Sequence, residues 1–212
     1  MRFISRKNEL RLEEDVVVKR LRDPQSAQRE AATLKALNAA GLAVPRLFGT
    51  EGNSIYLEYV PGVVYADLVD SMAWNQAVEL AGWLAEHYRL TGRGKGDVNL
   101  RNFIWTGNRC VGIDFEDPPV NERLEGCFGR AAAFAATYRP AFTEEKARCL
   151  ELLLRSFRGF GANDSEVGRA FVLELKAMNE RRKRQVDLYQ AAEFFVCCVQ
   201  RLDGEEHGGG VS

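Results

Sequence analysis

Two short stretches of this chain carry carboxylates and amides at spacings that suit chemistry. The first is Gly96-Asp97-Val98-Asn99-Leu100-Arg101-Asn102, where four residues separate Asp97 from Asn102. The second is Gly112-Ile113-Asp114-Phe115-Glu116, whose Asp114 follows Asn102 by twelve positions and ends a short apolar run. In phosphoryl transfer an aspartate accepts the proton of the attacking hydroxyl, and an asparagine amide oxygen with a second carboxylate holds magnesium on the phosphates. Each group also has a plainer reading. Asp97 and Asn102 suit an Asx-rich turn, and Asp114 suits a strand end.

Two upstream residues complete the set. Lys19 sits late in the β-branched run Asp15-Val16-Val17-Val18-Lys19-Arg20-Leu21, from which a lysine can reach the α and β phosphates of a nucleotide. Glu30 stands one helical turn before Leu34, near the face turned to the sheet, where it can pair with Lys19. Alone, the first would be a solvated edge-strand lysine and the second a solvated helix glutamate. Their joint order favours the chemical reading.

The elements that must position these groups follow from local pattern. Residues 2–22 read as strands. Asp23-Pro24 opens a helix with a capping carboxylate and a proline in its first turn. Ala27, Ala31, Leu34 and Leu37 continue it at helical spacing to about Ala40, with Gly41 as C-cap. Strands are expected at 44–48 and 54–60 around a turn at 49–53. Pro61-Gly62 breaks the pattern. Helices are then expected at 64–71 and 75–90. A polar, glycine-bearing loop at 91–102 precedes a hairpin of Phe103-Ile104-Trp105 and Cys110-Val111-Gly112-Ile113 around Asn108. Further helices are expected near 122–138, 143–158, 164–183 and 185–202. The pattern predicts an α+β chain: a strand-rich lobe over 1–60, a helical lobe over 61–202 and a flexible tail over 203–212.

Composition narrows the function classes. Hydrophobic residues are 46% of the 212, enough for a core. A net charge of -1 gives no global attraction to nucleic acid or a membrane surface. No run approaches the ~20 apolar residues that span a bilayer. The opening residues lack the apolar stretch of a signal peptide. Five cysteines without CxxC spacing read as reduced thiols in a cytoplasmic protein, and two histidines, His87 and His207, argue against a His-rich metal site.

The order lysine, helix glutamate, Asp-x-x-x-x-Asn and strand-end aspartate resembles the protein-kinase-like superfamily. Within it, the chain is most similar to the aminoglycoside phosphotransferases and the small atypical kinases of the tRNA-modification complex. Gly96-Asp97 resembles their His-Gly-Asp loop. Ile113-Asp114-Phe115-Glu116 resembles their Ile-Asp-Phe/Trp-acidic motif. Ala43-Val44-Pro45-Arg46-Leu47 and Tyr56-Leu57-Glu58-Tyr59-Val60-Pro61-Gly62 resemble their approach to the hinge between lobes. The likeness covers roughly residues 15–120.

This resemblance implies a two-lobed fold, with a small antiparallel sheet and one helix in the N-terminal lobe and a mainly helical C-terminal lobe. It implies ATP and Mg2+ as cofactors and a hydroxyl-bearing acceptor, either a small molecule or a dedicated protein partner. The backbone of Glu58, Tyr59 and Val60 would bind adenine. Lys19, partnered by Glu30, would hold the phosphates. Asn102 and Asp114 would bind magnesium, and Asp97 would be the catalytic base. Glu116 would assist the metal or cap a helix. A degenerate nucleotide-binding scaffold and a partner-dependent ATPase are the competing readings.

The chain departs from the pattern in two places. No glycine precedes Gly41, so the glycine-rich phosphate cover is missing, shortened or replaced by side chains such as Ser5, Lys7 and Asn8. Lys95 stands where the family has histidine. Gly92-Arg93-Gly94-Lys95-Gly96 lacks the frame of a phosphate loop. Arg181-Arg182-Lys183-Arg184 reads as a solvated helix end. No Ala-Pro-Glu motif or long activation segment follows Asp114, which argues against an ordinary regulated protein kinase. Glu116, Asp117 and Glu122 are the acids available to a cationic acceptor.

Overall fold

The computed structural model describes residues 2–4, 8–181 and 185–208. Ser5 and Lys7, named above as substitutes for a phosphate cover, and Arg182, Lys183 and Arg184 of the basic run lie outside them. The strand-rich half is an antiparallel five-stranded sheet in the order β1-β2-β3-β5-β4, built from β1 (Arg2–Ile4), β2 (Glu9–Glu13), β3 (Val16–Arg20), β4 (Leu47–Glu51) and β5 (Ser54–Glu58). The β1–β2 hairpin pairs Ile4 with Glu9. Neither strand of this pair contains a glycine. β3 is central, and Lys19 stands opposite Leu10 on one side and Ile55 on the other. Cross-strand neighbours share a face, so Lys19 points with buried Ile55 into the lobe.

Helix α1 (Pro24–Ala39) covers that face. Asp23 accepts from the Ser26 amide at its start. At its end Gly41, at φ +85°, closes a Schellman turn in which the Leu42 amide reaches the Leu37 carbonyl. Ala27, Glu30, Ala31, Leu34 and Leu37 are its buried stripe.

One strand lies later than its sequence pattern suggests. β4 occupies 47–51 rather than 44–48, and the reversal falls at Gly52 and Asn53. The ladder explains the shift. Phe48 is the extra residue between the Leu47–Leu57 and Gly49–Tyr56 pairs, so Gly49 stays in the strand, while Pro45 has no amide to give.

The helical half opens with β6 (Val63–Val64), which joins β7 (Phe103–Trp105) and β8 (Cys110–Gly112) in a small sheet. Between them lie α2 (Tyr65–Leu68), a 3-10 turn at Val69–Ser71, α3 (Trp74–Thr91) and a 3-10 turn at Leu100–Asn102. Then follow α4 (Leu124–Thr137), α5 (Glu144–Gly159), α6 (Asp164–Arg181) and α7 (Leu188–Gly208). The last helix continues past Asp203, where the pattern suggested a tail, and Arg158 of α5 holds Asp203 at 2.7 Å. Arg181, at the end of α6, pairs with Glu174 at 2.7 Å. One apolar cluster runs from Leu34 and Ile55 through Tyr65, Trp83, Phe103 and Phe115 into α4, α5 and α6. All five cysteines are unpaired. Among the described residues no helix is long and apolar enough to cross a membrane.

Candidate active site

Lys19 is only 5% exposed. Its ammonium lies 2.8 and 2.7 Å from the two Glu30 carboxylate oxygens and 2.8 Å from Asp114 Oδ1. A strand, a helix and the segment after β8 thus meet at one nitrogen. Burial opposes the charge on Lys19, yet the carboxylates of Glu30 and Asp114 overcome it and hold its pKa above the ordinary lysine value. Burial likewise opposes the charge on Asp114, and Lys19 and then Lys95 hold that carboxyl below the usual range. On Glu30 burial pushes upward against the pull of Lys19. Glu30 also accepts from the Phe115 amide at 3.2 Å, which ties α1 to the far lobe. Asp114 adopts φ +58°, a left-handed conformation that aspartate tolerates better than most residues.

The Asp97 loop is built from its own polar side chains. Asp97 Oδ1 accepts from the Asn99 amide at 2.9 Å, the Asx turn of the plainer reading, and among the described residues nothing donates to its other oxygen. The Asn102 amide donates to the Asn99 carbonyl at 2.8 Å, and the Ile113 amide donates to the Asn102 carbonyl at 2.8 Å. The second bond fixes the loop to the segment bearing Asp114. Asn99 Oδ1 accepts from Tyr138 Oη at 2.6 Å and from the Arg101 amide at 3.0 Å.

Lys95 is 2% exposed and donates to the backbone carbonyls of Asp97, at 2.8 Å, and Asp114, at 2.7 Å. Burial brings its pKa down to about 8, against the pull of Asp114 and Asp97. Arg130 of α4 donates to the carbonyls of Gly96 and Lys95 at 2.7 and 2.6 Å and pairs with Glu122. Gly94 and Val120 exchange two backbone bonds of 2.9 and 2.8 Å. A Cβ on Gly96 would stand 2.5 Å from the Pro118 carbonyl oxygen, so only glycine allows this approach. The segment after Asp114 is therefore clamped to the Asp97 loop. Sequence reasoning overlooked Arg130, although a lone arginine in the alanine-rich run of α4 was a usable signal. It gave Lys95 too little weight.

At the hinge, the Glu58 amide donates to the Arg46 carbonyl at 2.9 Å and the Tyr59 amide to the Asp15 carbonyl at 3.0 Å. Among the described residues nothing accepts from the Val60 amide. Glu116 accepts from Asn8 Nδ2 at 2.7 Å. It caps no helix, since α4 begins at Leu124 behind Arg123. Glu122, offered above as an acid for a cationic acceptor, is engaged by Arg130 and by the Cys127 thiol. A cavity of about 350 Å³ between α4 and α6 is lined by Glu122, Arg130, Glu166 and Glu174, among others. It touches the back of the Asp97 loop through Arg130 but includes neither Lys19, Asp97, Asn102 nor Asp114.

Among the described residues no three His, Cys, Asp or Glu side chains converge on a metal position. Magnesium does not require that, because it keeps several waters and takes one or two protein oxygens beside phosphates. Among the described residues Asp114 Oδ2 and Asn102 Oδ1 accept from no donor. Carboxylate and amide oxygens are ligand types that magnesium takes.

No family model matches the chain. A stretch of 89 residues is 35% identical to EKC/KEOPS complex subunit BUD32 of Encephalitozoon cuniculi, covering 42% of this chain and 45% of that protein. The match thus spans less than half the length of the curated relative. Solved structures agree over nearly the whole chain. An ethanolamine kinase of Plasmodium vivax superposes with a TM-score of 0.57 at 9% identity, over 93% of this chain and 80% of its own. A choline/ethanolamine kinase family protein of Mesorhizobium loti gives 0.55 at 14% identity, over 94% and 86%. An ADP-bound aminoglycoside phosphotransferase gives 0.55 at 14% identity, over 94% and 91%. The chain therefore has the two-lobed fold of the protein-kinase-like superfamily, with a small antiparallel sheet and one helix in its N-terminal lobe and a mainly helical C-terminal lobe.

Proposed function

We propose that this protein is an ATP- and magnesium-dependent phosphotransferase that passes the γ-phosphoryl group to a hydroxyl of a small molecule or a dedicated protein partner. The observation that carries the reading is the meeting of Lys19, Glu30 and Asp114 at one ammonium. With the lobes dividing at residues 60–61, that ammonium joins the sheet lobe to the catalytic side of the cleft. The structural relatives are named for choline, ethanolamine and aminoglycosides. The curated relative is named as a complex subunit. We carry over only the hydroxyl acceptor and the option of a dedicated partner.

Each residue then has a defined task. The Val60 amide donates to the adenine edge, with the carbonyl of Glu58 as the neighbouring acceptor. Lys19 keeps Glu30 and exchanges Asp114 for the α and β phosphate oxygens. Asn102 Oδ1 and Asp114 would hold magnesium, which when bound would neutralise charge on the phosphates. Asp97 keeps Oδ1 on its own loop and receives the hydroxyl proton on Oδ2. The protein works by positioning and charge rather than by covalent chemistry. The clamped segment after Asp114 leaves no long activation loop to reorganise, which supports a dedicated acceptor over a regulated protein kinase.

The missing glycines and the Asn8–Glu116 contact favour the scaffold reading as second choice, and Asp97→Asn separates the two. γ-Labelled ATP is offered with choline, ethanolamine, an aminoglycoside or the chain's own hydroxyls as acceptors. Transfer should fall by about 100-fold or more in the variant, while ADP affinity is retained. Equal turnover in both proteins would refute the assignment of Asp97.

A further inference from the structure

The geometry points to Lys95 as a positioning residue, whose ammonium sets the separation of Asp97 and Asp114 by donating to the main-chain carbonyl of each. Its catalytic consequence rests on the phosphotransfer reading; its structural consequence does not.

Lys95 does not touch the side chains that act. It holds the backbone of the two residues that carry them, at 2.8 Å for Asp97 and 2.7 Å for Asp114. These carbonyls belong to different segments, one in the loop after α3 and one after β8. The Lys95 nitrogen therefore bridges the two segments at the acidic residues themselves, beside the Ile113–Asn102 backbone bond. Two aromatic rings flank this nitrogen. The ammonium lies 4.8 Å from the centre of the Phe115 ring and 5.7 Å from that of Phe103. Trp83 packs edge-on against Phe103 at 5.2 Å and tilted against Phe115 at 6.2 Å. Ring faces attract a cation but give it no hydrogen bond, so the two carbonyls set its place. Among the described residues no carboxylate forms an ion pair with Lys95, unlike Lys19. A methionine would fill an aromatic box of this kind well. What methionine lacks is the pair of donors and the charge.

The main chain of Lys95 is fixed as firmly as its ammonium. Arg130 grips the carbonyls of Lys95 and Gly96 at 2.6 and 2.7 Å. Lys95 is thus held at its backbone from α4 and transmits that position through its side chain to both acidic residues. A looser bridge would leave each aspartate intact and misplace one relative to the other. Small misplacements of this kind reduce turnover steeply while leaving ground-state binding in place.

Lys95→Met and Lys95→His test this in the full chain. In Lys95→Met, kcat should fall about 10- to 100-fold with KM for ATP nearly unchanged. Lys95→His, which restores one donor, should recover part of that loss. Amide hydrogen exchange should quicken together in residues 97–102 and 113–116, with α4 and the five-stranded sheet unchanged. This second readout needs no acceptor, so it decides the bridge even if no phosphotransfer is found in the unaltered protein. If Lys95→Met does not fold, the smaller donor-bearing Lys95→His carries both measurements. Unchanged kcat, a rise in KM alone, or exchange that quickens in only one segment or evenly throughout would overturn the proposal.

Discussion

Two lysine ammonium groups are buried on either side of Asp114, and opposite chemistry holds them. Lys19 faces three carboxylate oxygens from Glu30 and Asp114. Lys95 faces two backbone carbonyls and two ring faces. Burial works against both charges. The carboxylates overcome it at Lys19, whose pKa rises, whereas at Lys95 burial prevails and brings it down to about 8. The difference separates an exchangeable contact from a permanent one. A side-chain carboxylate can turn away and give its place to a phosphate, whereas a main-chain carbonyl cannot leave without moving the loop. In the proposed account Lys19 is the cation that changes partners, and Lys95 is the cation that does not.

The largest expected effect comes from removing the charge that carboxylates surround. Lys19→Met leaves Glu30 buried without its counterion, and should lower unfolding stability by roughly 3–5 kcal/mol. Replacing both Lys19 and Glu30 by methionine should recover most of it, because no lone charge then remains. Urea denaturation of the three proteins measures this. A double variant as unstable as Lys19→Met would show that the pair acts through shape rather than charge.

How far the sequence exposed these two lysines explains what it can and cannot show. Lys19 and Glu30 were legible as a pair because each sits on a regular element whose period fixes its direction, whereas Asp97, Asn102 and Asp114 stood out as candidates by residue type and spacing. Local pattern likewise made α1, α3 and the β7–β8 hairpin legible. Lys95 and Arg130 were not legible in their roles, because each acts on backbone carbonyls, and no residue type marks a carbonyl as an acceptor. The β4 register was misplaced for a related reason. Gly49 looks like a turn residue, and only the pairing with β5 shows that it stays in the strand opposite Tyr56, after an irregularity at Phe48. Glu116 and Glu122 were read as available acids, yet Asn8 and Arg130 engage them from segments far away in sequence.

A smaller effect sharpens the contrast from the side of Lys95. His87 is buried and stacked on Trp83 at 5.4 Å, with Nδ1 unpartnered. Burial first, and the charge of Lys95 second, hold its pKa down to about 4. The unfolded chain therefore takes up this proton first as pH falls from its ordinary value of about 6.5. Stability present at neutral pH should be lost on acidification through the window from 6.5 to 4, by about 2 kcal/mol between pH 7 and pH 5. Lys95→Met should reduce that loss. Denaturation curves at the two pH values decide it; an equal loss in both proteins would place the cause of the shift in burial alone.

The most direct measurement is a calorimetric titration of the purified protein with ATP, in the presence and absence of magnesium, beside Asp114→Asn. The account predicts binding that needs magnesium and weakens in the variant, since Asp114 then holds neither the metal nor its place beside Lys19. No binding at millimolar ATP, or equal affinity with and without magnesium, would contradict it.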